Sequence, residues 1–416
     1  MELFNIIAIL ISLTAVLGYL VHRFTNLPTT IGLMIISLII SMVIIIFGRF
    51  GIGFIEGIAF VRSIDFNQTL MIGMLSFLLF AGALHVDLNE LMEYKWEVTI
   101  LAVFGVIIST VLIGSLVFIM LGWIGITLPY IYSLLFGAII SPTDPIAVLS
   151  IMKKANAPKS LEIKMAGESL FNDGIAVVVF LVIFGIATGE HEPSFNYITS
   201  LFAIEVIGGI FFGMFLGWIG FIMLKSVDNY QVEVLITLAL VTGGYALALS
   251  MHTSGPLAIV VAGLFVGNHG RKFAMSDRTR EHLDMFWELV DETLNSVLFV
   301  LIGLELLVVF LTGSYIIAGL LAIVIVLFAR VTSIGLPLLL LKRIRNTDPG
   351  EVKLLIWGGL RGGISVALAL SLPKGDERDV ILAMTYIVVV FSIIVQGLTI
   401  KYLIKPETQS PVPHAH

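Results

Sequence analysis

No cysteine occurs in the 416 residues, which excludes disulfides and thiolate metal sites. Charge is scarce as well. Asp, Glu, Lys and Arg together make up 12% of the chain, about half the roughly 25% of an ordinary soluble domain. What is abundant is apolar: 58% of the residues are hydrophobic and the mean hydropathy is +1.06. Apolar runs of about 20 residues recur throughout, each long enough to cross a bilayer, which implies a polytopic membrane protein. The net charge of −6 decides little, because the charges gather in the connections. The first run, "FNIIAILISLTAVLGYLV", lacks a basic leader and a cleavage site, and reads as a first span rather than a signal peptide.

The hydropathy pattern predicts an all-α protein with about 13 transmembrane helices, near 4–22, 29–48, 68–86, 97–122, 129–152, 161–188, 198–224, 231–250, 256–268, 282–311, 314–341, 352–372 and 379–403. Hydrocarbon cannot satisfy an open backbone, so each span is expected to be helical. No soluble domain fits between them. The tail "KPETQSPVPHAH", 405–416, is expected to be short, disordered and without a regulatory domain. With the N-terminus outside, cytoplasmic loops would hold 17 of the 23 Lys and Arg and outer loops 4, with Arg330 and Arg361 inside spans. That asymmetry fits the positive-inside rule and places the C-terminus in the cytoplasm.

An odd number of spans suggests two six-span halves joined by a linker span. The fifth span then corresponds to the twelfth. The fifth carries "SPTDP", where Pro142 and Pro145 flank Asp144. Each proline lacks a backbone donor and bends the preceding residue away from helix. The twelfth carries "WGGLRGGIS", with glycines at 358, 359, 362 and 363. Two broken-helix signals in register point to an inverted-repeat transporter with its site at the breaks, whereas one alone would indicate only close helix packing.

A charge at the bilayer centre costs roughly 2.5–3.5 kcal/mol on insertion scales, so intramembrane charges need partners or a wet cavity. The clearest set is Asp144, Glu168, Asp173 and Arg361. In "MAGESLFNDGIAVVVF", Ser169, Asn172 and Asp173 share one helix face, with Glu168 beside them. Hydroxyl, amide and carboxylate oxygens suit a hard cation rather than zinc or copper. A buried carboxylate there can hold a proton instead, and one site that takes either ion is the minimum apparatus for exchange. Asp173 is too deep in an apolar helix to be a terminal cap. Glu168 also reads as a neutralising partner for Arg361, and Asp144 as a counter-charge to the positive ends of broken half-helices. Glu305 is a weaker candidate. Glu288, Asp291 and Glu292 read as lining the cytoplasmic approach, Glu205 and Arg330 as interhelical glue, and His252 as an inert loop residue.

These residues carry a family resemblance. "GAIISPTDPIAVLSIMKKANAPKSLEIKMAGESLFNDGIAVVVF", with "LPTTIGLMI" and "WGGLRGGISVALAL", resembles the NhaP-type sodium/proton antiporters, in the group that also contains the animal sodium/proton exchangers. The resemblance implies an NhaA-like fold of inverted repeats with crossed, broken helices in spans 5 and 12. It implies that sodium and a proton compete for Asp173. Glu168, Ser169 and the Thr143 carbonyl would complete the sodium site, with Asp144 acting through water or hydrogen bonds. Asn172 would tie span 6 to the crossed helices, and Arg361 would pair with Glu168. It further implies a homodimer in the cell (inner) membrane, with a dimerisation part at about 1–95 and 198–311 and a moving ion-binding core at about 96–190 and 314–404. The expected activity is exchange of Na+, and also Li+, for H+ by alternating access, with no enzymatic chemistry and no cofactor beyond the transported ions. Membrane lipid is an expected partner and nucleic acid is not. Asn172 precedes Asp173 where other members carry a second aspartate, which implies electroneutral 1:1 exchange. A K+/H+ antiporter stays open from the ligands alone; a gated cation channel or a sensor fits the broken helices less well.

Overall fold

The structure is a computed structural model that describes residues 3–49, 61, 64–155, 157–341 and 349–404. The expected tail at 405–416 and the basic residues Arg62, Lys342, Arg343, Arg345 and Lys405 lie outside the described residues. Among the described residues the chain is all helix, with no strand.

The main helices are α1 (Leu3–Phe24), α2 (Thr29–Arg49), α3 (Phe66–Leu84), α4 (Lys95–Trp123), α5 (Tyr130–Ile140), α6 (Ile146–Lys154), α7 (Lys159–Ala187) and α8 (Phe195–Lys225). They continue as α9 (Tyr230–Ser250), α10 (Gly255–Phe265), α11 (Asp277–Glu305), α12 (Gly313–Leu341), α13 (Pro349–Trp357), α14 (Gly363–Leu370) and α15 (Asp376–Tyr402). Among the described residues, nine helices are long and apolar enough to cross a membrane: α1–α4, α7–α9, α12 and α15. The other four expected spans depart from that standard for local reasons. Those at 129–152 and 352–372 are each split in two, that at 256–268 is short, and α11 carries many acidic residues.

Helix starts follow the chemistry of the connections. Asp65, Ser194, Asn229, Ser254 and Ser276 each accept a hydrogen bond from a backbone N–H of the first turn that follows. Pro129 and Pro158 stand just before α5 and α7, where a missing N–H costs nothing.

The contacts sort the helices into two groups. In one, α4 packs on α5, α7 and α12, while α15 packs on α12 and α14, and α14 packs on α5. In the other, α2 lies on α1 and α11, and α10 lies on α3, α8 and α9. The groups meet where α7 touches α10, α11 touches α14 and α3 touches α14. Large apolar side chains such as Phe211, Phe215 and Trp218 stay exposed on α8, as expected of a surface facing lipid tails.

Candidate ion-binding site

Two breaks make the site. Helix α5 ends at Ile140 and α6 starts at Ile146; α13 ends at Trp357 and α14 starts at Gly363. A helix of 11 residues is only about 16 Å long, roughly half the hydrocarbon thickness. The free ends therefore fall within the apolar layer, where every backbone group needs a partner. The two breaks supply partners to each other. The Asp144 N–H donates to the Leu360 carbonyl at 2.8 Å. One guanidinium nitrogen of Arg361 donates to the carbonyls of Ser141 and Pro142 at 2.7 and 3.0 Å. The Arg361 N–H donates to Ser392 Oγ at 2.9 Å, and Gln396 Nε2 donates to the Trp357 carbonyl at 3.0 Å. Ser392 and Gln396 bound a single wide turn of α15, a local departure of the kind found at functional sites.

Charges at the two breaks follow the helix dipoles. Asp144 accepts the Ile146 N–H at 2.9 Å, at the positive end of α6. The same carboxylate lies against Gly362, just before the positive end of α14: a Cβ there would come within 2.5 Å of Asp144 Oδ2. Arg361 does the converse, covering the last carbonyls of α5 at its negative end. The counter-charge role read for Asp144 thus has a mirror image in Arg361, which the sequence reading had placed elsewhere.

Helix α7 brings the oxygen-rich face to the first break. The Ser169 hydroxyl donates to the Thr143 carbonyl. Asn172 Nδ2 donates to Thr143 Oγ1 at 2.8 Å, and Asn172 Oδ1 accepts the Thr143 N–H at 3.4 Å. Thr143, Glu168, Ser169 and Asn172 are all buried. Asp144 and Asp173 are only half-buried and lie within electrostatic range of each other. Among the described residues Asp173 has no hydrogen-bond partner. It is followed by Gly174, whose bare Cα lets α7 close on Leu257 of α10, so Asp173 sits where the two helix groups meet.

The expected pair between Glu168 and Arg361 is corrected by the structure. Arg330 of α12 grips both Glu168 oxygens, at 2.5 and 3.1 Å, and also donates to the Leu355 carbonyl at 3.1 Å. Arg330 is buried and passes over Gly359, where any Cβ would collide with the guanidinium. Both arginines were visible as intramembrane cations; only the packing of α12 on α4 and of α13 on α7 shows which one reaches Glu168. Glu305 is buried at the far end of α11, on the side of Arg378 and Tyr386, and no hydrogen bond among the described residues links it to this cluster. Glu205 offers its backbone carbonyl to the Ser254 N–H at 3.2 Å, and His252 takes up a left-handed turn, φ 55°, between α9 and α10.

The chain matches the model of the sodium/hydrogen exchanger transmembrane family over residues 9–405. It belongs to that family. It is 50% identical over 407 residues to the Na+/H+ antiporter NhaP of Pseudomonas aeruginosa, covering 96% of each chain. It is 38% identical to the Na+/H+ antiporter NhaH of Halobacillus dabanensis, covering 82% of this chain and 83% of the relative. The structure of the sodium proton antiporter MjNhaP1 from Methanocaldococcus jannaschii superposes with a TM-score of 0.76, covering 97% of this chain and 98% of that one. At 20% identity that likeness shows a common fold. The family is one of membrane ion transporters, so the polytopic reading, the motif resemblance and the absence of an enzymatic role stand together.

Proposed function

We propose that this protein exchanges sodium, and also lithium, for protons across the cell membrane, with Asp173 as the shared site. The observation that carries the reading is Asp173 itself: a half-buried carboxylate without a side-chain hydrogen-bond partner among the described residues, one helical turn from Ser169, whose hydroxyl is held on the Thr143 carbonyl. A sodium ion would take oxygens from Asp173, Ser169 and Thr143, with Asp144 reached through water. Glu168 is committed to Arg330 through both oxygens, so in this reading it shapes the ion site while it anchors α7 to α12. That leaves Asp173 as the one carboxylate in direct contact with the ion, which supports electroneutral 1:1 exchange.

Alternating access would follow from the two helix groups. In this reading the thirteen segments form two inverted six-span halves, with the N-terminus outside and the C-terminus cytoplasmic. The segments at about 96–190 and 314–404 carry the site and move, and those at about 1–95 and 198–311 form a homodimer. The support is geometric: the two breaks and Asp173 all belong to one group, and they face the other across glycine contacts such as Gly174 against Leu257. The relatives are named for sodium and proton exchange, which favours sodium over potassium. Dye-monitored proton flux in everted vesicles tests the reading. Sodium and lithium pulses are expected to dissipate the proton gradient; a response to potassium alone would transfer the activity to K+/H+ exchange.

A further inference from the structure

One face of α11 leads from water to the breaks and takes no part in the site described above. Glu288, Asp291, Asn295 and Leu298 stand three or four residues apart and so share one stripe. Exposure falls along it: Glu288 is exposed, Asp291 half-buried, Asn295 2% exposed and Leu298 3% exposed. At its inner end the stripe meets the second break, because a Cβ on Gly363 would come within 2.6 Å of Leu298. The neighbouring Gly362 lies against Asp144. From Glu288 to Leu298 the helix rises about 15 Å, so Asp291 and Asn295 fill the interval between solvent and Asp144. Asp291 is in electrostatic range of both Asp144, just before α6, and Lys153, near the other end of α6. Ser150 and Lys153 of α6 are exposed.

Asn295 supplies the second observation. Its side chain is in polar contact with Asp291, yet its Oδ1 is buried with no hydrogen-bond partner among the described residues. A buried amide oxygen without a donor is costly. Beside a carboxylate, on a path to a cation site, the natural partner is a cation or a water that it carries, which donates to the oxygen.

On the exchange reading above, we propose that Asp291 and the Asn295 amide oxygen form a waiting site for a partly hydrated monovalent cation, from which it is handed to Asp144 and Asp173. The carboxylate at the wet mouth concentrates cations, and the amide oxygen replaces part of the hydration shell before the ion enters the apolar layer. A site used on the way in, and not at the exchange step, sets apparent affinity rather than turnover.

Sodium-driven proton flux in proteoliposomes of the full chain, measured as a function of sodium, tests this. Asp291→Asn is expected to raise the apparent KM for sodium roughly three- to tenfold with Vmax within about twofold of wild type. Asn295→Leu is expected to raise KM in the same direction, and Asp291→Glu to restore it. Because α11 packs on α2 and α3, each variant is checked for a monodisperse elution profile. Monodisperse Asp291→Asn protein with an unchanged KM, or with reduced Vmax at unchanged KM, would overturn the waiting site. Wild-type vesicles that move no protons in response to sodium would instead overturn the exchange reading, and this inference with it.

Discussion

Arg330 holds both carboxylate oxygens of Glu168 and, through one of the same nitrogens, the Leu355 carbonyl just before the second break. One guanidinium thus joins α7, α12 and α13. Both side chains of this ion pair are buried, and both carboxylate oxygens are engaged.

Removing one partner of such a pair strands a buried charge, at a typical cost of about 3–5 kcal/mol. Arg330→Ala is therefore expected to lower the melting temperature and the yield of purified protein markedly. Glu168→Gln combined with Arg330→Gln should recover part of that loss, because neither charge is then left alone. Arg361→Ala should cost less, since it uncovers carbonyls rather than a carboxylate. Melting curves in detergent rank the three. A double variant that loses the sum of what Glu168→Gln and Arg330→Gln each lose alone would show that the two side chains act separately.

Asp173 bears no structural bond among the described residues, so its charge can be removed without disturbing the helix. Asp173→Asn is expected to abolish sodium-driven proton flux in vesicles while the protein remains folded and in the membrane. Residual cation-driven flux near the wild-type rate would place the shared site elsewhere.

Gly362 leaves room for Asp144, and a methyl group there would fall within 2.5 Å of the carboxylate. Gly362→Ala is expected to push Asp144 aside and cut the exchange rate at least about tenfold, the scale of a small displacement at a positioned group. Gly243→Ala is the matched control, because a methyl group at 243 meets nothing within 4 Å. Similar rates in the two variants would mean that the position of Asp144 is immaterial to transport.

On the proposed exchange of one monovalent cation for one proton at Asp173, no net charge would cross the membrane. The potential contributes about 2.3 kcal/mol per net charge per 100 mV, and so nothing to a neutral cycle. Clamped diffusion potentials of either sign should leave the sodium-driven rate in proteoliposomes unchanged, with a second permeant ion replacing potassium as a control. The same competition gives a bell-shaped pH profile. At low pH protons keep the cation off Asp173; at high pH the return leg lacks protons. A rate that follows the sign of the potential under both clamps would demand a second proton carrier.

Much of this protein is determined by its sequence alone. Apolar runs of bilayer length force helices, because lipid offers the backbone no partner. The prolines around Asp144 and the four glycines around Arg361 mark where two helices break, since these residues act on their own backbone. The oxygen face of Ser169, Asn172 and Asp173 follows from helical spacing, which is equally local. What the tertiary structure decided is which distant groups meet. Arg330 and Arg361 are alike in sequence, each one cation in an apolar span, and periodicity within a helix carries no information about its neighbour. Packing of α12 and α13 gives Glu168 to Arg330, while contact between the two breaks gives Arg361 to the carbonyls of Ser141 and Pro142. The Asp144 to Leu360 hydrogen bond and the approach of Leu298 to Gly363 have the same origin. They join residues far apart in the chain, and only the assembled helices bring them within reach.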